Sequence, residues 1–262
     1  MTSKQFCFGL KKSKIDPHEK VLCFGTQCKQ VDFPTSFTLK DRVKQVYDQM
    51  SLNACSANAT ANFLSLSDKD DMMKCSISRL YMYFCTRMID NQMNYKNIIP
   101  VEDQGATLKS VFTALSTYHY VDEVKYPYEI EKVDSIPPSK IFEEAITVNK
   151  CPFTSYKQIN QTNCSIKYAL YMMQTPILFG MMVYSNFMGL TKENDILNVP
   201  DYKNNELLGA HAVVIVGFDD ESETFEILNS HGSDFANNGY FRIKSEYLLN
   251  PELAFEFFIV NN

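Results

Sequence analysis

Four side chains spread over most of the chain, those of Gln49, Cys55, His211 and Asn229, are of the types that together perform acyl-transfer chemistry. Cys55 opens the run CSANATANFLSL, which has small or apolar residues on nearly every face and so predicts a helix packed inside the molecule. The partial positive charge at a helix N-terminus, together with a nearby imidazolium, lowers a thiol pKa enough to give a thiolate at neutral pH. His211 leads into the β-branched run Ala212 to Phe218, followed by turn residues Asp219 to Ser222 and a second strand run, Thr224 to Leu228. An antiparallel hairpin centred on Asp220 puts His211 opposite Asn229. The amide oxygen can then accept from one ring nitrogen and leave the other for a proton partner. Gln49 adds a side-chain amide that can donate to an oxyanion alongside the Cys55 backbone N–H.

These residues need a frame large enough to hold them. The chain has 262 residues, of which 45% are hydrophobic and 21% charged, the balance of a globular protein with one large or two closely packed lobes. Its 25 Lys and Arg against 31 Asp and Glu, with no long basic run, predict neither a nucleic-acid nor a membrane partner. The uncharged stretch Tyr168 to Thr191 is interrupted by Pro176 and Gly180, so it reads as a buried helix and a buried strand rather than a membrane span. Lys4, Lys11, Lys12 and Lys14 leave no room for a signal-peptide core, which predicts a cytoplasmic protein. Eight cysteines at irregular spacing predict free thiols. The set Cys7, His18, Cys23 and Cys28 lacks the close pairs of a zinc site, so no metal is expected.

Helices are predicted at Cys55 to Leu66, Ser76 to Asp90, Thr107 to Tyr118, Ser139 to Val148 and Ser165 to Met173, and strands at 212–218, 224–228 and 239–243. A helical first half and a sheet-rich second half make an α+β chain with a cleft between two lobes. Boundaries fall near residue 36 and near residue 130. They separate an N-terminal arm (1–35), a helical lobe (36–130) and a β-rich lobe (131–262). The sequon at Asn58 falls in the buried helix and reads as a chance match.

The order and neighbours of these residues resemble the papain-like cysteine peptidases, especially their divergent branch in bacteria and large DNA viruses. The resemblance rests on Val46 to Gln49 and Leu52 to Ala59, on Ser78 to Tyr83, Gly105-Ala106 and Tyr126 to Tyr128, and on Gly209 to Phe218, Leu228 to Gly232 and Asn238 to Arg242. It runs from about Phe33 to the C-terminus. Leu52, Asn53 and Ser56 depart from the usual residues around the nucleophile, and His231 stands where the family has a Trp that shields the Asn–His contact.

The resemblance implies a two-lobed fold with a β-barrel-like second lobe, and hydrolysis of peptide or protein substrates without a cofactor. Cys55 would be the nucleophile, His211 the proton carrier, Asn229 its orienting partner and Gln49 the oxyanion donor. Gly105, Ala106 and Ala210 would line the substrate path, and His231 would be the dyad shield, admitting more water than an indole. Two alternatives use the same residues: a catalytically weakened peptide- or partner-binding protein, and an acyl or peptidyl transferase. The arm holds Phe6, Phe8, Leu10, Val21, Leu22 and Phe24, too many apolar groups for a solvated tail. It is therefore expected to pack into or beside the cleft as a propeptide-like intramolecular inhibitor.

Overall fold

A computed structural model describes residues 6–14, 16, 18–68, 76–94, 97–148 and 151–261. Residues 1–5 of the arm and Cys75 lie outside the described residues. In chain order the elements are β1 (Leu10–Lys11), α1 (Gly25–Cys28), β2 (Ser36–Thr38), α2 (Cys55–Ser67), α3 (Arg79–Asp90), β3 (Ala106–Thr107), α4 (Leu108–Tyr118) and α5 (Ser139–Val148). Then follow β4 (Ser155–Gln158), α6 (Asn163–Lys167), β5 (Ile177–Tyr184), β6 (Ile196–Leu197), β7 (Leu207–Asp219), β8 (Thr224–Leu228), β9 (Tyr240–Lys244), α7 (Ser245–Leu248) and β10 (Ala254–Asn261).

The helical layer forms where small and apolar residues let backbones approach. Twelve of the thirteen residues of α2 are buried, and Asn58 within it donates to the Ala54 carbonyl and to Tyr128 Oη. Side-chain oxygens of Ser78 and Thr107 cap α3 and α4, which start where the 3.6-residue pattern of apolar positions starts. The uncharged stretch divides as expected. The helix α6 continues into a π-helical turn (Tyr168–Met172), and the chain then enters β5, buried along most of its length.

The second layer is an eight-stranded sheet in the order β4-β10-β5-β7-β8-β9-β6, with β2 also paired to β7. It is antiparallel except for β6 against β9. The central strand β7 is buried from Ala210 to Phe218, and α2 packs on it. Because β2 joins this sheet, the chain contributes a strand to it before it builds the helical layer.

The β7–β8 register differs from the expected one. Asp219 pairs with Thr224, Phe218 with Phe225 and Val214 with Leu228, with a bulge between Ile215 and Gly217. The turn centre therefore lies between Glu221 and Ser222. Extending this register sets Val213, not His211, across from Asn229, and sets His211 across from His231. The bulge falls where a distant segment comes close: β2 passes so near Gly217 that an added Cβ there would lie 2.6 Å from the Phe37 carbonyl oxygen.

Cysteines provide a second correction. Cys28 and Cys164 form a disulfide, while Cys7, Cys23, Cys55, Cys85 and Cys151 are free. The pairing arises because α1 packs on α6, with Phe24 stacked on Tyr168. Sequence spacing could not show that contact.

Candidate active site

Cys55 is the first residue of α2 and has no exposed surface. Backbone N–H groups of Ala212, Gly9, Ser56 and Cys55 itself approach its sulfur, but burial dominates and pushes the thiol up to about 11. The Ala212 contact places α2 beside the strand position next to His211. His211 is fully buried, and desolvation drives its pKa down to about 4 against the opposing effect of Asn229. Its Nε2 lies 2.7 Å from Oδ1 of Asn229, the residue after the end of β8 at Leu228; the Asn229 N–H donates to the Gly239 carbonyl and continues the β8–β9 register. A carboxamide oxygen only accepts, so Nε2 carries the proton. Among the described residues, His211 Nδ1 has no hydrogen-bond partner.

Gln49 is buried and locked from three sides. Its Nε2 donates to the Leu52 carbonyl at 2.9 Å, its Oε1 accepts from Ser230 Oγ at 2.7 Å, and its backbone N–H donates to the Ser230 carbonyl. The second Nε2 hydrogen reaches the carbonyl oxygen of Cys7, 3.0 Å away. Sequence reasoning did not single out Ser230 for this role, although it lies between Asn229 and His231.

His231 is buried and stacked on His211, with ring centroids 4.8 Å apart and planes 16° from parallel. Its Nδ1 accepts from Asn229 Nδ2 at 3.1 Å. The expected opening to water is absent in this arrangement. Phe6 stacks on His231, Phe8 meets His211 edge-on, and Phe187 and Phe235 close the sides.

Those two rings belong to the arm, which runs through the cleft. Gly9 bridges to Ala210, its carbonyl accepts from Ala106 N–H at 3.1 Å, and β1 pairs in parallel with β3. Gly105, at φ +74°, admits this approach, since a Cβ there would sit 1.7 Å from the Gly9 oxygen. Gly105, Ala106 and Ala210 therefore all face arm backbone. Leu10 packs against Gly180, near Phe255, and Ser13 donates to both carboxylate oxygens of Glu256. Farther on, Glu19 pairs with Lys109, and Leu22 exchanges backbone hydrogen bonds with the Gln158 and Asn160 peptides.

A further cluster escaped sequence reasoning. Asp103 accepts from the Asn53 backbone N–H and from Tyr83 Oη at 2.6 Å, while the Tyr83 hydroxyl accepts from Gly105 N–H. It ties the loop before Cys55 to the wall of the cleft. No pattern of charge or spacing marks such a contact in advance.

The model of the papain family cysteine proteases matches residues 29–253. The chain belongs to the papain family of cysteine proteases. Among papain-family relatives, an uncharacterized peptidase C1-like protein of Acanthamoeba polyphaga mimivirus is 29% identical over 97% of this chain and 86% of its own length. Xylellain, a cysteine protease from Xylella fastidiosa, is 27% identical, and its crystal structure superposes with a TM-score of 0.80 over 97% of this chain and 96% of its own. A procathepsin B from Trypanosoma congolense, 16% identical, shares the fold with a TM-score of 0.71 over 96% of this chain and 86% of its own. The papain-like α+β fold and the bacterial and viral resemblance are thus established, and with them a cysteine-type peptidase.

Proposed function

We propose that this protease cuts peptide bonds with Cys55 as nucleophile, His211 as proton carrier, Asn229 as its orienting partner and Gln49 as oxyanion donor, and that its own arm keeps it latent. The observation that carries the reading is the Nε2–H of His211 held on Asn229 while Nδ1 is left with its lone pair. In the open enzyme Nδ1 takes the Cys55 thiol proton as sulfur bonds to the scissile carbonyl carbon. Gln49 Nε2 and the Cys55 N–H hold the resulting oxyanion. Nδ1–H then protonates the leaving amine as the C–N bond breaks. Water attacks the thioester, giving its proton to His211, and the C–S bond breaks to return the thiol.

Latency follows from the same geometry. The Cys7 carbonyl occupies the Gln49 donor, and burial by the arm leaves a neutral thiol and a neutral imidazole. The leaving amine must lie on the His211 side, so a substrate runs from the Gly105 wall toward His211. The arm runs the other way, from Phe6 near His231 to Leu10 near Ala106, which puts its peptide nitrogens on the wrong side for proton transfer.

An epoxysuccinyl thiol probe on full-length protein, followed by peptide mapping, tests the assignment. Cys55→Ala should lose all labelling and lower turnover of a peptide library by roughly 10⁴-fold or more, while Cys85→Ala changes neither. Labelling that survives in Cys55→Ala and disappears in Cys85→Ala would overturn it. Adding an amine acceptor during turnover separates hydrolysis from transfer.

A further inference from the structure

Asn229 presents two chemically opposite ends to two stacked imidazoles. Its Oδ1 lies 2.7 Å from His211 Nε2, and its Nδ2 lies 3.1 Å from His231 Nδ1. The oxygen can only accept and the amide nitrogen can only donate. Turned over, the same amide would put its NH₂ against His211 Nε2, forcing the His211 proton onto Nδ1, where the thiol proton has to go. All three side chains are 1% exposed or less, so water cannot compensate a mismatch.

We propose that His231 is a positioning residue: by accepting from Asn229 it fixes which end of the amide faces His211, and so fixes the tautomer of His211. This inference rests on the reading of His211 as the proton carrier. The orientation of the amide is decided at its far end. Nδ2 needs an acceptor there, and His231 Nδ1 supplies one only when its own proton is on Nε2. Turned over, the amide oxygen would face the His231 Nδ1 lone pair, and two buried acceptors left against each other disfavour that orientation by roughly 10- to 100-fold.

The ring is held for this task. It lies between His211 and Phe6, whose centroid is 4.5 Å away, and Phe235 meets it edge-on at 5.4 Å. Its backbone is bridged to Asp48, and the next N–H, of Gly232, donates to the Tyr47 carbonyl at 2.9 Å. An indole at this position could cover the dyad, but its N–H cannot accept. His231 therefore adds an acceptor that a Trp does not have.

Long-range ¹H–¹⁵N correlation on full-length, histidine-labelled protein at pH 7 tests this directly, since the chain has only 4 histidines to assign. In the wild type, His211 is expected as the Nε2–H tautomer and His231 as Nε2–H with Nδ1 bare. A proton on His231 Nδ1 would overturn the proposal without any variant. His231→Phe keeps a ring and removes the acceptor. It should convert His211 to a tautomer mixture and slow Cys55 labelling by roughly tenfold, and His231→Gln, which restores an acceptor oxygen, should recover part of the loss. An unchanged His211 tautomer in folded His231→Phe would sink the idea. In an Asn229→Asp background both ends accept, so the effect of His231→Phe on His211 should vanish; an equal effect there would mean the ring acts only by packing. The tautomer readout does not depend on turnover, so a folded Phe6→Ala/Phe8→Ala variant that still fails to label at Cys55 would refute the catalytic assignment and leave this result standing.

Discussion

The side-chain amide of Gln49 donates to the main-chain carbonyl of Cys7, 42 residues earlier, at 3.0 Å. A donor suited to an oxyanion is thus filled by the chain's own neutral carbonyl. The contact links the N-terminal arm to the chemistry and sets the first prediction.

Removing arm rings should open the site. Phe6 and Phe8 lie on His231 and His211, and each partly buried ring contributes on the order of 1–2 kcal/mol to holding the arm down. Phe8→Ala is expected to raise the rate of thiol-probe labelling at Cys55 by roughly tenfold, and the double variant with Phe6→Ala by more. The apparent KM for peptides should fall in parallel. Equal labelling rates in folded variants would mean the arm does not gate the site.

Gly105→Ala separates arm from substrate. A Cβ at φ +74° would lie 1.7 Å from the Gly9 carbonyl oxygen, so both the loop and the arm contact are strained, by about 1–2 kcal/mol for the backbone alone. Labelling by a small thiol probe should rise while the KM for extended peptides also rises. A fall in labelling together with normal peptide KM would contradict this.

The covered site should be pH-sensitive in both directions. His211 is depressed from 6.5 to about 4 by desolvation, so its contribution to the closed form is present above pH 6.5 and lost as pH falls toward 4. Cys55 is raised from 9.0 to about 11, also by burial, so its contribution is present below pH 9 and lost as pH rises through 11. Glu256, raised by burial, works against the acid effect. The His211 shift alone is worth about 3 kcal/mol. Protection factors of residues 6–11, corrected for the intrinsic pH dependence of amide exchange, are expected to be highest between about pH 6.5 and 9 and to fall toward pH 4. Protection that rises steadily toward acid would rule this out.

The Cys28–Cys164 link spans 136 residues and fastens the end of the arm to α6. Non-reducing peptide mapping should recover the two cysteines as one species. Cys28→Ser is expected to lower unfolding free energy by roughly 2–4 kcal/mol in urea titrations under oxidising conditions. It should have little effect in the presence of a strong reductant, where the wild type has lost the bond as well.

The helices, the strands and the order of Gln49, Cys55, His211 and Asn229 were legible in the sequence because they rest on local signals: apolar periodicity, caps, turn residues and motif order. The β7–β8 register was not, because it depends on a bulge where β2 presses on Gly217, a contact between residues about 180 positions apart. The number of apolar residues in the arm, from Phe6, Phe8 and Leu10 to Phe24, predicted an arm that packs. Only the tertiary structure selected its course, since the receiving surface is assembled from Gly105, Gly180, Gly209 and the two histidines. The disulfide and the Asp103 cluster belong to the same class of contact, made by distant segments with no local signature. Replacement of the family's Trp by His231 was visible at once. That its Nδ1 meets the far end of the Asn229 amide was decided by packing, because hydrogen-bond direction depends on where two rings and one carboxamide come to rest.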